Sequence, residues 1–124
     1  MKSIFVSHKY EDNGTIEQLK KWEARGLLGD VRITGETKDV RIEGINGIKN
    51  HLNPQLKGAG AVIVLVGDDT HTSKWVEHEI QHAKSHNKKI IPVRIAKTVG
   101  SVPKLIKDIP TIPFEANAIK NSLE

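Results

Sequence analysis

The sequence predicts an α/β fold in which helices cover both faces of a mostly parallel, five-stranded sheet. Segments rich in Ile, Val and Leu alternate along the chain with segments whose apolar residues recur at helical spacing. The clearest strand covers residues 62–66, an aliphatic run without polar alternation, which is typical of a parallel strand buried on both faces. Strands that alternate with helices favour right-handed crossovers, and these produce a parallel sheet.

The length and composition predict a single domain over residues 1–124. The chain has 124 residues, which suits one compact domain. Hydrophobic residues make up 37% and aromatic residues only 4%, so the core must consist mainly of aliphatic side chains. The absence of cysteine excludes disulfides and thiolate chemistry. No apolar run approaches the roughly 20 residues that span a bilayer, so we expect a cytoplasmic protein without a membrane partner.

The net charge of +4 does not indicate a nucleic-acid-binding protein. It arises from 19 basic and 15 acidic residues, and the basic ones are spread along the chain. Nucleic-acid-binding proteins usually concentrate basic residues on one face and add aromatic residues for stacking. We therefore expect no nucleic-acid partner. A mild positive field of this kind favours a smaller anion, such as a nucleotide.

The first half of the chain predicts two strands, each followed by helical sequence. Apolar residues recur at helical spacing from Ile16 onwards, and Thr15 is placed to cap that helix. A polar, glycine-bounded stretch at residues 35–44 predicts a long exposed loop. Pro54 suits a first helical turn, and Gly58 ends that helix. The predicted elements are a strand at 3–7, a helix at 15–25, a strand at 30–34 and a helix at 45–57.

The second half of the chain predicts three more strands. Pro92 is awkward inside a central strand because it lacks a backbone N–H, and it predicts a local irregularity or an edge position. The predicted elements are a strand at 62–66, a helix at 73–86, a strand at 89–95, a helical piece at 104–107, a strand at 110–113 and a helix at 115–123.

The strand order predicts where a ligand would bind. For a domain of this size we expect the flavodoxin-like order 2-1-3-4-5, in which strands one and three are neighbours. Ligands of open α/β sheets bind in the crevice outside the carboxyl ends of such strands. The loops that begin at Ser7 and at Gly67 should therefore share one cleft. Its candidate substrate contacts are Ser7, His8, Lys9 and Asp68.

The helix after the central strand carries a tryptophan and a glutamate on neighbouring turns. At about 100° per residue, Val76, Ile80 and Ala83 fall on one side and should face the sheet. Trp75 and Glu79 lie one turn apart on the flank, where we expect the carboxylate to be half-buried. From spacing alone, the alternative is a solvated glutamate that meets water or a neighbouring histidine.

Two motifs resemble the Toll/interleukin-1 receptor (TIR) domain family. The opening IFVSHKYED resembles its first signature, an apolar strand that ends in Ser before a polar loop with an acidic residue. The stretch VIVLVGDDTHTSKWVEHEI is similar to the third strand and following helix, in which a glutamate lies four residues beyond a Trp. The lone domain, the Gly after that strand and the preceding LNPQLKGA segment are most similar to TIR-like domains of bacterial Thoeris antiviral defence and their archaeal relatives.

The resemblance implies an enzyme that cleaves the bond between nicotinamide and ribose in NAD. NAD is then the substrate, and no cofactor is expected. In the Thoeris branch the ADP-ribose part is cyclised into a signal that activates an effector protein, and TIR-like domains often self-associate. Carried over by motif, Glu79 is the catalytic glutamate that holds the ribose hydroxyls and stabilises the oxocarbenium ion. Ser7, His8 and Trp75 would line the pocket.

Three histidines on the same helix form a candidate metal site. His78, His82 and His86 recur every fourth residue, and imidazole nitrogens are common zinc ligands. Metal sites on one helix usually recruit a further ligand from elsewhere, and no residue at a fixed spacing supplies it. A surface stripe of histidines is therefore favoured, and we expect no bound metal.

Other interpretations of the loop residues fit less well. Asp68-Asp69 resembles the acidic site of receiver domains, but that site needs a lysine where this chain has Arg94. Ser7 and His8 are not a nucleophile and its base, because adjacent residues of a strand point apart. The main alternative to an NAD-consuming enzyme is a non-catalytic signalling module that binds a protein partner or a nucleotide with the same fold.

Overall fold

The computed structural model describes residues 2–8, 13–35 and 54–124, which form alternating strands and helices. None of the described helices combines the length and the hydropathy needed to cross a bilayer. Short 3₁₀ turns precede the third helix and the last strand, at Thr70–Thr72 and Lys104–Ile106. The strands are β1 (Lys2–Ser7), β2 (Val31–Gly35), β3 (Ala61–Val66), β4 (Lys89–Arg94) and β5 (Ile112–Pro113), and the helices are α1 (Asn13–Ala24), α2 (Pro54–Gly58), α3 (Lys74–Ser85) and α4 (Ala116–Leu123).

The described strands form one parallel sheet in the order β2-β1-β3-β4-β5. This confirms the predicted α/β fold with the flavodoxin-like order. Strands β1 and β3 are direct neighbours, with Ser7 opposite Val64 in the register. Their carboxyl ends therefore lie side by side at one edge of the sheet.

Each face of the sheet carries an apolar core. Every residue of β3 is buried, and successive residues point alternately into the two cores, which explains why this strand shows no polar alternation. The core under α1 and α4 includes Ile4, Val6, Ile16, Leu19, Ile63, Leu65, Ile119 and Leu123. The core under α2 and α3 includes Phe5, Leu56, Val62, Val64, Val66, Val76, Ile80 and Ala83.

The first helix begins earlier than its sequence predicts. Helix α1 starts at Asn13, so Thr15 is an internal residue, and the prediction that Thr15 caps the helix is wrong. The predicted loop at residues 35–44 begins inside β2, which ends at Gly35. The rest of that loop and residues 45–53 of the predicted helix lie outside the described residues.

Pro92 lies inside β4, opposite Val64 of β3. The N–H of Ile95 donates to the carbonyl of Val66 in β3, with an N···O distance of 3.0 Å. Backbone N–H groups along a strand point alternately to its two sides, so the nitrogen of Pro92 faces away from β3. On that side β5 pairs only with Val93 and Arg94. Pro92 therefore costs the sheet no hydrogen bond, and locally it has the predicted edge position.

Candidate functional site

The carboxyl ends of β1 and β3 bring Ser7 and Glu79 into contact. Ser7 is the last residue of β1, and its Oγ donates a hydrogen bond to Glu79 Oε1 at 2.6 Å. Ser7 is fully buried and Glu79 is 8% exposed. The two residues are 72 positions apart in the chain. The hydrogen bond therefore joins α3 to the end of the first strand.

Helix α3 places Glu79 through its cap and its buried face. Ser73 is the N-cap, and its Oγ accepts the N–H of Val76 at 3.3 Å. Val76, Ile80 and Ala83 are fully buried against the sheet, as the helical spacing predicts. Glu79 precedes Ile80 by one residue, so it lies on the flank of this face and is directed towards β1.

Glu79 is buried, so the prediction of a half-buried carboxylate is wrong. The helical spacing correctly placed Glu79 on the flank of α3, but it could not show which other part of the chain covers that flank. A carboxylate that leaves water needs hydrogen-bond donors to offset its desolvation, and Ser7 supplies one. A distance of 2.6 Å is within the range of a well-formed O–H···O hydrogen bond. The alternative of a solvated helix residue is therefore excluded.

Two further predicted pocket residues lie at the same edge of the sheet. Trp75 is one helical turn before Glu79 on α3, and His8 directly follows Ser7. Both are half-buried, so each combines a packed part with an accessible part. Lys9, the remaining predicted contact of this loop, lies outside the described residues. Binding of a substrate by any of these side chains stays a prediction.

Asp68 lies in the exposed loop after β3, and its carboxylate has a structural partner. Its Oδ1 accepts the N–H of Val99 at 2.9 Å. The backbones of Gly100 and Asp68 pack so closely that a Cβ at Gly100 would lie 2.1 Å from the Asp68 carbonyl oxygen. Asp68 therefore ties the loop after β3 to the loop after β4. Its predicted role in substrate binding stays untested by this geometry.

Thr70 is a structural residue of the site that the sequence did not reveal. It is 1% exposed, and its Oγ1 accepts the N–H of Gly67 at 2.7 Å and donates to the carbonyl of Leu65 at 3.2 Å. Hydroxyl side chains often bond to nearby backbone in this way. The sequence offers three hydroxyl residues within four positions, Thr70, Thr72 and Ser73, and nothing in it distinguishes the buried one.

Of the three histidines, His78 and His82 lie on α3 and His86 is its C-cap. The rings of His82 and His86 are stacked, with centroids 4.1 Å apart. Burial lowers the pKa of His82 below its ordinary value of 6.5, and repulsion from neighbouring basic side chains lowers it further. These basic side chains are His86, Lys88, His78 and Lys57. Within the part of the chain that the structure describes, no group of three or more His, Asp or Glu side chains is arranged to hold a metal ion.

Comparison with known proteins agrees with the predicted fold and with the predicted family. The chain matches the family described as Thoeris protein ThsB, TIR-like domain, over residues 5–99. A similar solved structure is the TIR domain of the Toll-related receptor TRR-2 from Hydra magnipapillata. The TM-score is 0.62 at 15% identity, and the match covers 89% of this chain and 82% of that one. At this identity the likeness shows the fold alone. No curated protein matches the sequence.

Proposed function

The chain belongs to the Thoeris ThsB TIR-like family, and from this premise we propose that it is a signalling enzyme that cleaves the nicotinamide–ribose bond of NAD. The ADP-ribose part is then released or cyclised into a second messenger for an effector protein. The observation that carries the proposal is the buried hydrogen bond between Ser7 and Glu79, which fixes a carboxylate at the carboxyl edge of β1 and β3.

Cleavage of NAD creates the charge that such a carboxylate would stabilise. When the bond breaks, its electron pair goes to the nicotinamide nitrogen, so nicotinamide leaves as a neutral molecule. The ribosyl carbon is left with oxocarbenium character. Attack by water gives linear ADP-ribose and a proton, whereas attack by a nucleophile within the same molecule gives a cyclic product and a proton. A fixed carboxylate in a water-poor site stabilises this positive charge more strongly than water does.

The neighbouring residues take distinct parts in this proposal. Ser7 is fully buried, so its hydroxyl acts on Glu79 and holds the carboxylate in one orientation. Trp75 offers a flat aromatic face one turn away, which suits stacking with the nicotinamide ring. His8 lies beside them at the end of β1. Lys9 contributes positive charge for the diphosphate of the substrate.

The proposal is tested by NAD consumption, with nicotinamide, linear ADP-ribose and cyclic products resolved by mass spectrometry. The key variant is Glu79→Gln, which keeps the shape of the side chain and removes its charge. The matched control is Glu77→Gln on the same helix, because the Glu77 side chain is 47% exposed and pairs with Lys74 at 3.5 Å. We expect Glu79→Gln to lose about 100-fold or more in rate and Glu77→Gln to keep its activity.

The assay is run with concentrated protein and again with cross-linked or crowded protein, because self-association is part of the proposed signalling role. A non-catalytic module is the alternative, and the same hydrogen bond supports it, since a buried carboxylate can simply fasten α3 to β1. If the wild type releases no nicotinamide in any of these states, the catalytic proposal is wrong. Binding of a partner or a nucleotide is then the function to test.

A further inference from the structure

The segment between β3 and α3 is held at both of its ends by Thr70. The side chain of Thr70 binds backbone at the end of β3, where it accepts from Gly67 and donates to Leu65. The backbone carbonyl of Thr70 accepts the N–H of Ser73, the N-cap of α3, at 3.0 Å. One residue therefore connects the end of a central strand with the first turn of the helix that carries Glu79.

This connection limits movement of α3 along its own axis, which apolar packing limits only weakly. Val76, Ile80 and Ala83 hold α3 against the sheet, but apolar contact is not directional and resists sliding along the helix axis less than a hydrogen bond does. Glu79 lies six residues beyond Ser73, about 9 Å along the helix. Any axial shift at the cap therefore moves the carboxylate by the same amount. A bond of 2.6 Å to Ser7 tolerates only a small shift.

We infer that Thr70 is a positioning residue for the reaction proposed above, because its hydroxyl fixes the axial position of α3 and so the place of Glu79. The inference rests on the proposed function. Thr70 uses its hydroxyl once as a donor and once as an acceptor, so both bonds are lost if the hydroxyl is removed. Valine has nearly the same shape without the hydroxyl, and serine keeps the hydroxyl without the methyl group. These two substitutions separate hydrogen bonding from packing.

The test compares kcat and KM for NAD in Thr70→Val, Thr70→Ser and a matched control, Thr98→Val. Thr98 also contacts backbone at the end of β3 but lies in the loop after β4. Its single hydroxyl proton is shared between two carbonyl oxygens, that of Ile95 at 2.7 Å and that of Val66 at 3.3 Å. We expect Thr70→Val to lower kcat roughly 10- to 100-fold while KM changes less than about twofold, because a misplaced catalytic group slows chemistry more than binding. Thr70→Ser should keep most of the kcat, and Thr98→Val should keep nearly all of it.

The inference is overturned if folded Thr70→Val has wild-type kcat, if Thr70→Ser is as slow as Thr70→Val, or if Thr98→Val is equally slow. A wild type without activity would refute the proposed function alone. Amide hydrogen exchange in the first turn of α3 would then test whether the Thr70 hydroxyl holds the start of the helix. We expect faster exchange in Thr70→Val than in Thr98→Val. Equal exchange in the two variants would contradict the inference.

Thr70→Val could be too unstable to assay, and a stabilised background meets that case. The comparison is then repeated with Gly14→Ala present in every variant. Gly14 lies inside α1, and a methyl group added there would meet no atom within 4 Å, so alanine should stabilise the helix.

Discussion

Removal of the Ser7 hydroxyl is the most direct test of how the site holds its carboxylate. In Ser7→Ala the Glu79 carboxylate loses a donor at 2.6 Å, in a place where Ser7 is fully buried and Glu79 is only 8% exposed. A hydrogen bond to a charged group contributes about 1.5 to 3 kcal/mol. The bond is already present without substrate, so this energy is lost mainly from the stability of the fold. The rate falls because the carboxylate is no longer held in its productive orientation, and a misplacement of about 1 Å lowers kcat by up to roughly 100-fold.

The assay measures kcat by nicotinamide release and the free energy of unfolding by urea titration for each variant. The matched control is Thr34→Val, which removes a hydroxyl that donates to the carbonyl of Ile4 at 3.2 Å. Thr34 binds the same strand as Ser7 but makes no bond to Glu79. We expect both variants to lose about 1 to 3 kcal/mol of stability and only Ser7→Ala to lose activity beyond the fraction unfolded.

The reasoning is refuted if Ser7→Ala and Thr34→Val have the same kcat after correction for unfolded protein. In that case the hydrogen bond stabilises the fold, and the orientation of Glu79 does not depend on it. A rise in KM with unchanged kcat would also contradict it, since that result would place Ser7 among the groups that bind substrate and transition state equally.

Two further predictions concern the stability of the fold. Because the pKa of His82 is lowered on folding, the unfolded chain binds a proton there more readily, so stability falls as the pH is lowered through 6.5. Urea titrations between about pH 5 and pH 8 should show a smaller loss in His82→Gln than in the wild type. Gly100→Ala places a methyl group 2.1 Å from the Asp68 carbonyl oxygen, so overpacking should lower the free energy of unfolding by about 1 to 3 kcal/mol and reduce the melting temperature. Gly14→Ala meets nothing within 4 Å, and an unchanged or higher melting temperature checks that the effect is specific to the close contact.

The fold could be predicted because its signals are local. The aliphatic run of β3 shows its burial on both faces without reference to any other part of the chain. The helical spacing of Val76, Ile80 and Ala83 shows which side of α3 meets the sheet. The start of α1 was missed because the pair Asn13-Gly14 also suits a turn, and the choice between turn and helix depends on packing that a local pattern does not contain.

The site could be predicted in part, because it combines local and distant contributions. The predicted strand order placed the ends of β1 and β3 together, and the family resemblance singled out Glu79 on the helix that follows. The buried hydrogen-bond partner of Glu79 is Ser7, which is 72 residues away, so no local sequence pattern could predict this contact. The bond between Asp68 and Val99 spans 31 residues and was missed for the same reason. Lys9 lies outside the described residues, so its place in the site stays a prediction.

A double-mutant cycle separates a serine that acts through Glu79 from one that touches the substrate. If Ser7 only orients the carboxylate, then Ser7→Ala has nothing left to disturb once Glu79→Gln has removed the charge. The rate of the double variant should then equal that of Glu79→Gln alone, measured on the residual activity that disabled enzymes commonly retain. Trp75→Leu provides the contrast, because a residue that stacks on nicotinamide should lower the rate by a similar factor in both backgrounds. Additive losses for Ser7→Ala as well would show that the hydroxyl contributes independently of the carboxylate, and Ser7 would return to its predicted place among the substrate contacts.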